Sequence, residues 1–165
     1  MNHQNHPTIS RALSFGLTSV DNQPIMPKAW VYFIWVVIAK QVYCKIGQSI
    51  NPPERISQVT GAIPQIPFFI QLLPCLNLEQ ARLFEGMIHK HVHEFRAKQK
   101  SEWFTDPNLN RLATQIRAKV NEISNLFQSF GYTIQLQGIE QSGPYPVLHP
   151  NGYIDYVIDP KKEGR

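Results

Sequence analysis

Trp30-Val-Tyr-Phe-Ile-Trp-Val-Val-Ile38, then Ala39-Lys40, then Gln41-Val-Tyr-Cys-Lys-Ile46 and Gly47, is the stretch that decides how this chain folds. The first run is dense in β-branched and aromatic residues and too short for a helix of ordinary length, so it reads as a buried strand. Gln41 to Ile46 reads as a second strand. With only Ala39 and Lys40 between them, an antiparallel hairpin is the natural connection, although the Asn-Gly signal of a tight turn is missing. A loop with an even number of residues puts Tyr32 and Lys45 on one face of that hairpin, directly or diagonally opposed, and Tyr43 shares the face.

Downstream, Gly47 ends the strand, and Ser49-Ile-Asn-Pro-Pro-Glu-Arg-Ile56 supplies a capping residue, a first-turn proline and an early acid. These start a short helix that runs to about Val59. Pro64 and Pro67 bracket a loop, and Phe68 to Leu73 reads as a third strand stopped by Pro74. From Asn77 to Phe95 the apolar positions Leu78, Ala81, Phe84, Ile88, Val92 and Phe95 recur at three- and four-residue steps, the buried face of a long helix. Ser101-Glu-Trp-Phe104 follows as an aromatic docking segment, and Leu109 to Phe130 carries another helical pattern that Gly131 terminates.

The expected fold is therefore α/β (α+β): a small three-stranded antiparallel sheet flanked by helices over residues 29–106, with an added C-terminal helix over 107–131 packing back on it. Residues 1–28, rich in Asn, His, Gln, Pro and Ser, read as a flexible arm. Residues 132–165 read as an extension holding at most a stray strand or hairpin.

At 165 residues, 42% hydrophobic and 17% charged, the chain is globular and has room for one core. Sixteen Lys and Arg against twelve Asp and Glu leave a charge of +4, which suits an anionic partner without requiring one. The longest apolar run is roughly half of a membrane span, and the N-terminus lacks the order of a secretion signal, so no membrane is expected. Cys44 and Cys75 sit in apolar segments without metal or redox spacing and read as buried reduced thiols, for which a cytoplasmic location is the simplest setting.

Val31-Tyr32-Phe33, Lys45-Ile46-Gly47, Arg55, Glu85 and Glu102-Trp103-Phe104 stand in an order and spacing that resemble the GIY-YIG nuclease superfamily, in its phage-associated branch where the second motif tyrosine is a lysine. The resemblance spans about half of the chain. It implies a metal-dependent endonuclease acting on nucleic acid, in the first place DNA, with Mg²⁺ or Mn²⁺ as cofactor. One centre per chain is compatible with a homodimer for cutting both strands. Trp30 stands where the name-giving glycine would be and Val31 replaces its isoleucine, which keeps a second implication open: a nucleic-acid-binding or interaction module of the same fold with little or no turnover.

The chemistry can be stated from the residues themselves. Phosphodiester hydrolysis needs the phosphate neutralised, a water held in line and the departing oxygen stabilised. Glu85 is the candidate metal ligand, because a hard divalent cation accepts one carboxylate and keeps several waters; its ordinary alternative is a helix-surface pair with Arg82 or Lys90. Arg55 offers a planar, permanently charged fork to a phosphate, or else an ion pair with Glu54. Tyr32 and Lys45 are the pair at the water, with either as base, and Tyr43 is the substitute phenol if Tyr32 is core. His89, one turn beyond Glu85, joins the catalytic candidates. His93, one turn further, extends a stripe that also admits a weaker zinc reading without an obvious third soft ligand. His91 points elsewhere and reads as solvated, and Trp103-Phe104 reads as a core plug before a base-stacking pair.

Overall fold

The computed structural model describes residues 13, 16–39, 41–63, 67–98, 101–107, 109–140, 147–148 and 154–155. Strands β1 (Leu17–Ser19), β2 (Ala29–Ile38) and β3 (Gln41–Ser49) are followed by helix α1 (Pro52–Gly61), β4 (Phe69–Cys75), α2 (Leu78–His91), a 3₁₀ turn (His93–Phe95), β5 (Trp103–Thr105) and α3 (Leu109–Ser129). Strands β6 (Tyr132–Ile134), β7 (Gln137–Glu140), β8 (Val147–Leu148) and β9 (Ile154–Asp155) complete the order.

The continuous apolar run of β2 is explained by its place. It is the middle strand of an antiparallel sheet ordered β5-β3-β2-β4-β7, and residues 29–36 are buried on both faces. Side-chain alternation sends Val31, Phe33 and Trp35 to one face, where Cys44 and Ile46 join them. There they pack on Ala81, Phe84 and Ile88 of α2 and on Leu112, Ile116, Val120 and Ile123 of α3. It sends Trp30, Tyr32, Ile34 and Val36 to the other face, under Ile56 and Val59 of α1. The hairpin loop has two residues, with Ile38 opposite Gln41, and Ala39 takes the left-handed conformation at φ +51° that such a turn demands. An alanine supplies it where glycine or asparagine is usual.

The α+β class and the three central strands are as expected, but the sheet has five strands. Short edge strands β5 and β7 extend it on both sides, and the segment read as aromatic docking is the edge strand β5 itself. Two boundaries differ as well. Strand β4 runs through Pro74, which pairs with Trp30 beyond the β7 ladder that ends at Leu72, so the missing N–H falls where β7 does not need it. Helix α2 stops at His91 and tightens into the 3₁₀ turn instead of running to Phe95.

The flexible-arm reading fails over residues 16–28. Leu17 is 2% exposed, and β1 pairs with β6 in register from Leu17 and Ile134 to Ser19 and Tyr132. Burial of that one leucine and the β6 ladder fix the segment on the domain. Residues 1–12, 14 and 15 of that arm lie outside the described residues. Cys44 and Cys75 are buried free thiols, as expected. No helix among the described residues is long and apolar enough to cross a membrane.

Candidate active site

The polar candidates gather at the Gly47 end of β3. The two-residue loop sets the register so that Tyr32 pairs with Gly47 and Lys45 with Ile34, which places Tyr32 and Lys45 diagonally on one face. The Tyr32 ring leans across Gly47, where an added Cβ would fall on the phenol oxygen and Cζ. Glycine is required here because any side chain would occupy the volume of the phenol. Helix α1 brings Arg55 to the same point: Asn51 caps the helix, Pro52 and Pro53 open it, and Ile56 and Val59 bury its inner face. Arg55 Nε donates to the Tyr32 hydroxyl at 3.4 Å, and its Nη1 donates to Gln58 Oε1 at 3.3 Å.

Glu85 and His89 reach this end from α2, on the opposite face of the sheet. Asn77 caps α2 by accepting from the Gln80 amide, and Ala81, Phe84 and Ile88 pin the helix to the core, which leaves Glu85 and His89 at the margin with side chains 18% and 15% exposed. Their closest atoms, Glu85 Oε1 and His89 Nε2, lie 3.7 Å apart. His89 Nε2 also lies 2.9 Å from the Ile46 carbonyl, which can only accept, so that nitrogen carries the proton. The ring stands edge-on to Phe104 at 5.0 Å. Burial holds His89 below its ordinary value, so it is neutral at pH 7 and works as a tether between α2 and the end of β3.

Sequence reasoning named Glu102 only within a motif and gave it no role. The residue stands immediately before β5, where its carbonyl accepts from the Ile46 amide at 3.1 Å, and its carboxylate holds Lys45 Nζ at 2.6 Å. It is also the charge that ties the group together. Burial, followed by the Glu102 charge, pushes the Glu85 carboxyl up to about 7, against the pull of Lys45 and Arg82. Burial raises the Tyr32 phenol, the Arg55 guanidinium opposes it, and Glu102 and Glu85 add to the rise. Arg55 and Glu85 therefore act on the same phenol from helices on opposite faces of the sheet. A polar side chain directly before a buried aromatic strand was the one signal for Glu102.

Not every candidate joins the group. Tyr32 is core, 1% exposed, which is the condition under which Tyr43 would be the substitute phenol; but Tyr43 sits two residues nearer the hairpin, packed against the α1-side cluster, and Arg55 pairs with Tyr32. His93 leaves the stripe because α2 ends before it; its Nδ1 lies 3.0 Å from the Lys90 carbonyl. His91 is exposed, 2.9 Å from Gln115 Oε1. Phe104 is fully buried and is the plug, whereas Trp103, on the other side of the strand, remains half-buried with Lys45 Nζ 5.8 Å from its ring centroid. Trp30 is buried on the Tyr32 face, and its Nε1 has no partner.

Among the described residues no three His, Cys, Asp or Glu side chains converge in the manner of an all-protein metal cage. What the site offers a cation is one half-buried carboxylate with a second close by, oxygen donors that suit a hard ion retaining its water. The family model of the T5orf172 domain matches residues 29–128. No curated protein and no solved structure matches the chain.

Proposed function

The chain belongs to the T5orf172 domain family, a phage-associated domain related to nuclease-like folds, and from that premise we propose a metal-dependent endonuclease that hydrolyses DNA phosphodiesters at a GIY-YIG-type site. The observation that carries the reading is the Tyr32 phenol: bonded by Arg55, given its space by Gly47 and set within the field of Glu85. Tyr32 is itself 1% exposed, so this bond also satisfies a buried hydroxyl; what exceeds core packing is that the partner is a permanent cation and that the Glu85 charge reaches the same phenol.

Glu85 would hold Mg²⁺ or Mn²⁺, which supplies positive charge against the phosphate and the departing oxygen. The remaining work belongs to side chains. Arg55 presents its fork to the non-bridging oxygens, where charge grows in the transition state. Because Arg55 donates to the Tyr32 oxygen, the phenol keeps its own O–H free, and its raised pKa keeps that proton in place at pH 7. Tyr32 thus orients the attacking water or a phosphate oxygen as a neutral phenol, rather than acting as the base. Lys45, held by Glu102, adds a fixed cation on the same face. His89 positions α2, and with it Glu85, against the end of β3.

A second reading is a nucleic-acid-binding module without turnover. It is favoured by the 2.6 Å Lys45–Glu102 pair, which occupies the amine, and by the bulk of Trp30 in the first motif. The two separate in one assay. Mg²⁺- or Mn²⁺-dependent nicking of plasmid DNA, lost in Glu85→Ala and in Arg55→Ala, supports the nuclease. Salt-sensitive binding with no cleavage in either metal supports the module.

A further inference from the structure

Helix α2 has a second feature that the chemistry above does not use. Gly86, next to Glu85, lies mid-helix and exposed, and a Cβ added there would meet nothing within 4 Å. Neither packing nor backbone geometry asks for glycine, which costs a helix interior about 1 kcal/mol relative to alanine. At helical pitch Gly86 lies between Arg82, four residues before, and Lys90, four residues after, both exposed. Lys90 also lines an open cleft of about 490 Å³ between α2 and α3, with Met87, His91, His93 and Lys119 as its other walls. Around the helix the order is Glu85, bare Gly86, Lys90, cleft. Glu79, one turn before Arg82, marks where the stripe becomes acidic.

We propose that this surface is a track for the substrate's sugar-phosphate backbone: the strand crosses α2 at the notch of Gly86, and the phosphates beyond it are held by Lys90 and, inside the cleft, by Lys119, which exchanges its 3.1 Å pair with Glu122 for a phosphate. The proposal rests on the nuclease reading and extends it to the path of the nucleic acid. Backbone contacts of this kind set position and affinity without reading sequence. A methyl group at position 86 would lift the strand off the helix while strengthening the helix itself, so stability and binding should move in opposite directions.

The test is fluorescence anisotropy of a labelled DNA duplex with the full chain in EDTA, across a salt series, beside thermal denaturation of each variant. Gly86→Ala should melt higher than wild type yet bind severalfold more weakly. Gly61→Ala, at the end of α1 with equally open space, should leave binding unchanged. Lys90→Gln combined with Lys119→Gln should lower the salt slope by about 2, near 0.9 per phosphate contact. Wild-type affinity in Gly86→Ala with an unchanged slope in the double variant would overturn the track alone, while metal-dependent cleavage would still uphold the nuclease. Absence of DNA binding by the wild type would overturn both.

Discussion

Substituting Glu85 by glutamine should make the protein more stable and inactive together, with the gain growing as the pH rises from about 4.5 and reaching its ceiling above about 7. The Glu85 carboxyl is raised from an ordinary 4.5 to about 7 by burial and by the Glu102 charge. The folded chain therefore holds this proton more tightly than the unfolded chain. Its contribution to stability is fully present below about 4.5 and is lost as the pH rises through about 7. At about 1.4 kcal/mol per pKa unit, the gap corresponds to a ceiling of about 3 kcal/mol at pH 8. Glutamine imitates the protonated form at every pH and spares that loss. In urea denaturation with EDTA present, wild type and Glu85→Gln should coincide near pH 4.5 and separate by up to about 3 kcal/mol at pH 8, roughly 10 °C in Tm. His89, held low by burial, costs stability as the pH falls below 6.5, but it does so in both proteins. Mg²⁺ at pH 8 should then stabilise the wild type and leave the variant unmoved. Stability curves that run parallel from pH 4.5 to 8 would refute the argument, since Glu85 would then ionise in the folded chain as freely as in water.

Three further substitutions test the remaining parts. Arg55→Lys keeps the charge but loses the planar fork, and should lower cleavage about 10²–10³-fold with little change in melting temperature; near wild-type rates in plasmid nicking would remove Arg55 from the phosphate. Gly47→Ala puts a methyl group where the Tyr32 phenol lies, and should cost about 1–3 kcal/mol in denaturant unfolding as well as activity. An alanine variant as stable as the wild type would mean that the ring has room to move. Glu102→Gln removes the like charge that raises Glu85, so the rising limb of the pH–rate profile should move to lower pH; an unmoved limb would show that Glu102 does not set it.

How far the sequence could be read depended on where the determining force was local. The face shared by Tyr32 and Lys45 follows from a two-residue loop and a period of two, and both are visible in the residues from Trp30 to Gly47. The starts of the first two helical patterns were legible from local signals, a capping residue, proline and acid within Ser49 to Ile56 and the apolar steps from Leu78, and the structure shows Asn51 and Asn77 as the caps. Edge strands β5 and β7 were not, since three- and four-residue pairings are fixed by a partner distant in sequence and carry almost no periodicity of their own. For the same reason Glu102 was named without a role: its carboxylate reaches Lys45 only through the register that joins Trp103 to Lys45. His93 misled because the helical repeat of apolar residues continues through Val92 and Phe95 after the backbone has tightened to 3₁₀. Leu17 looked like part of a short apolar patch (Ala12, Leu13, Phe15, Leu17) in a polar tail, and only β6, more than a hundred residues later, shows where it is buried.

The outer strand of the sheet has a practical consequence. Strand β7 comes from residues 137–140, beyond the last residue that the family model matches, yet it covers β4 from Phe69 to Leu72. A chain trimmed at residue 128 would keep every candidate catalytic group and uncover a row of backbone donors and acceptors on a strand whose Ile70 and Leu72 are fully buried. Bare edges of that kind recruit other chains, so the shortened protein should aggregate more readily than the full one, and loss of activity on trimming would reflect aggregation and not a missing side chain.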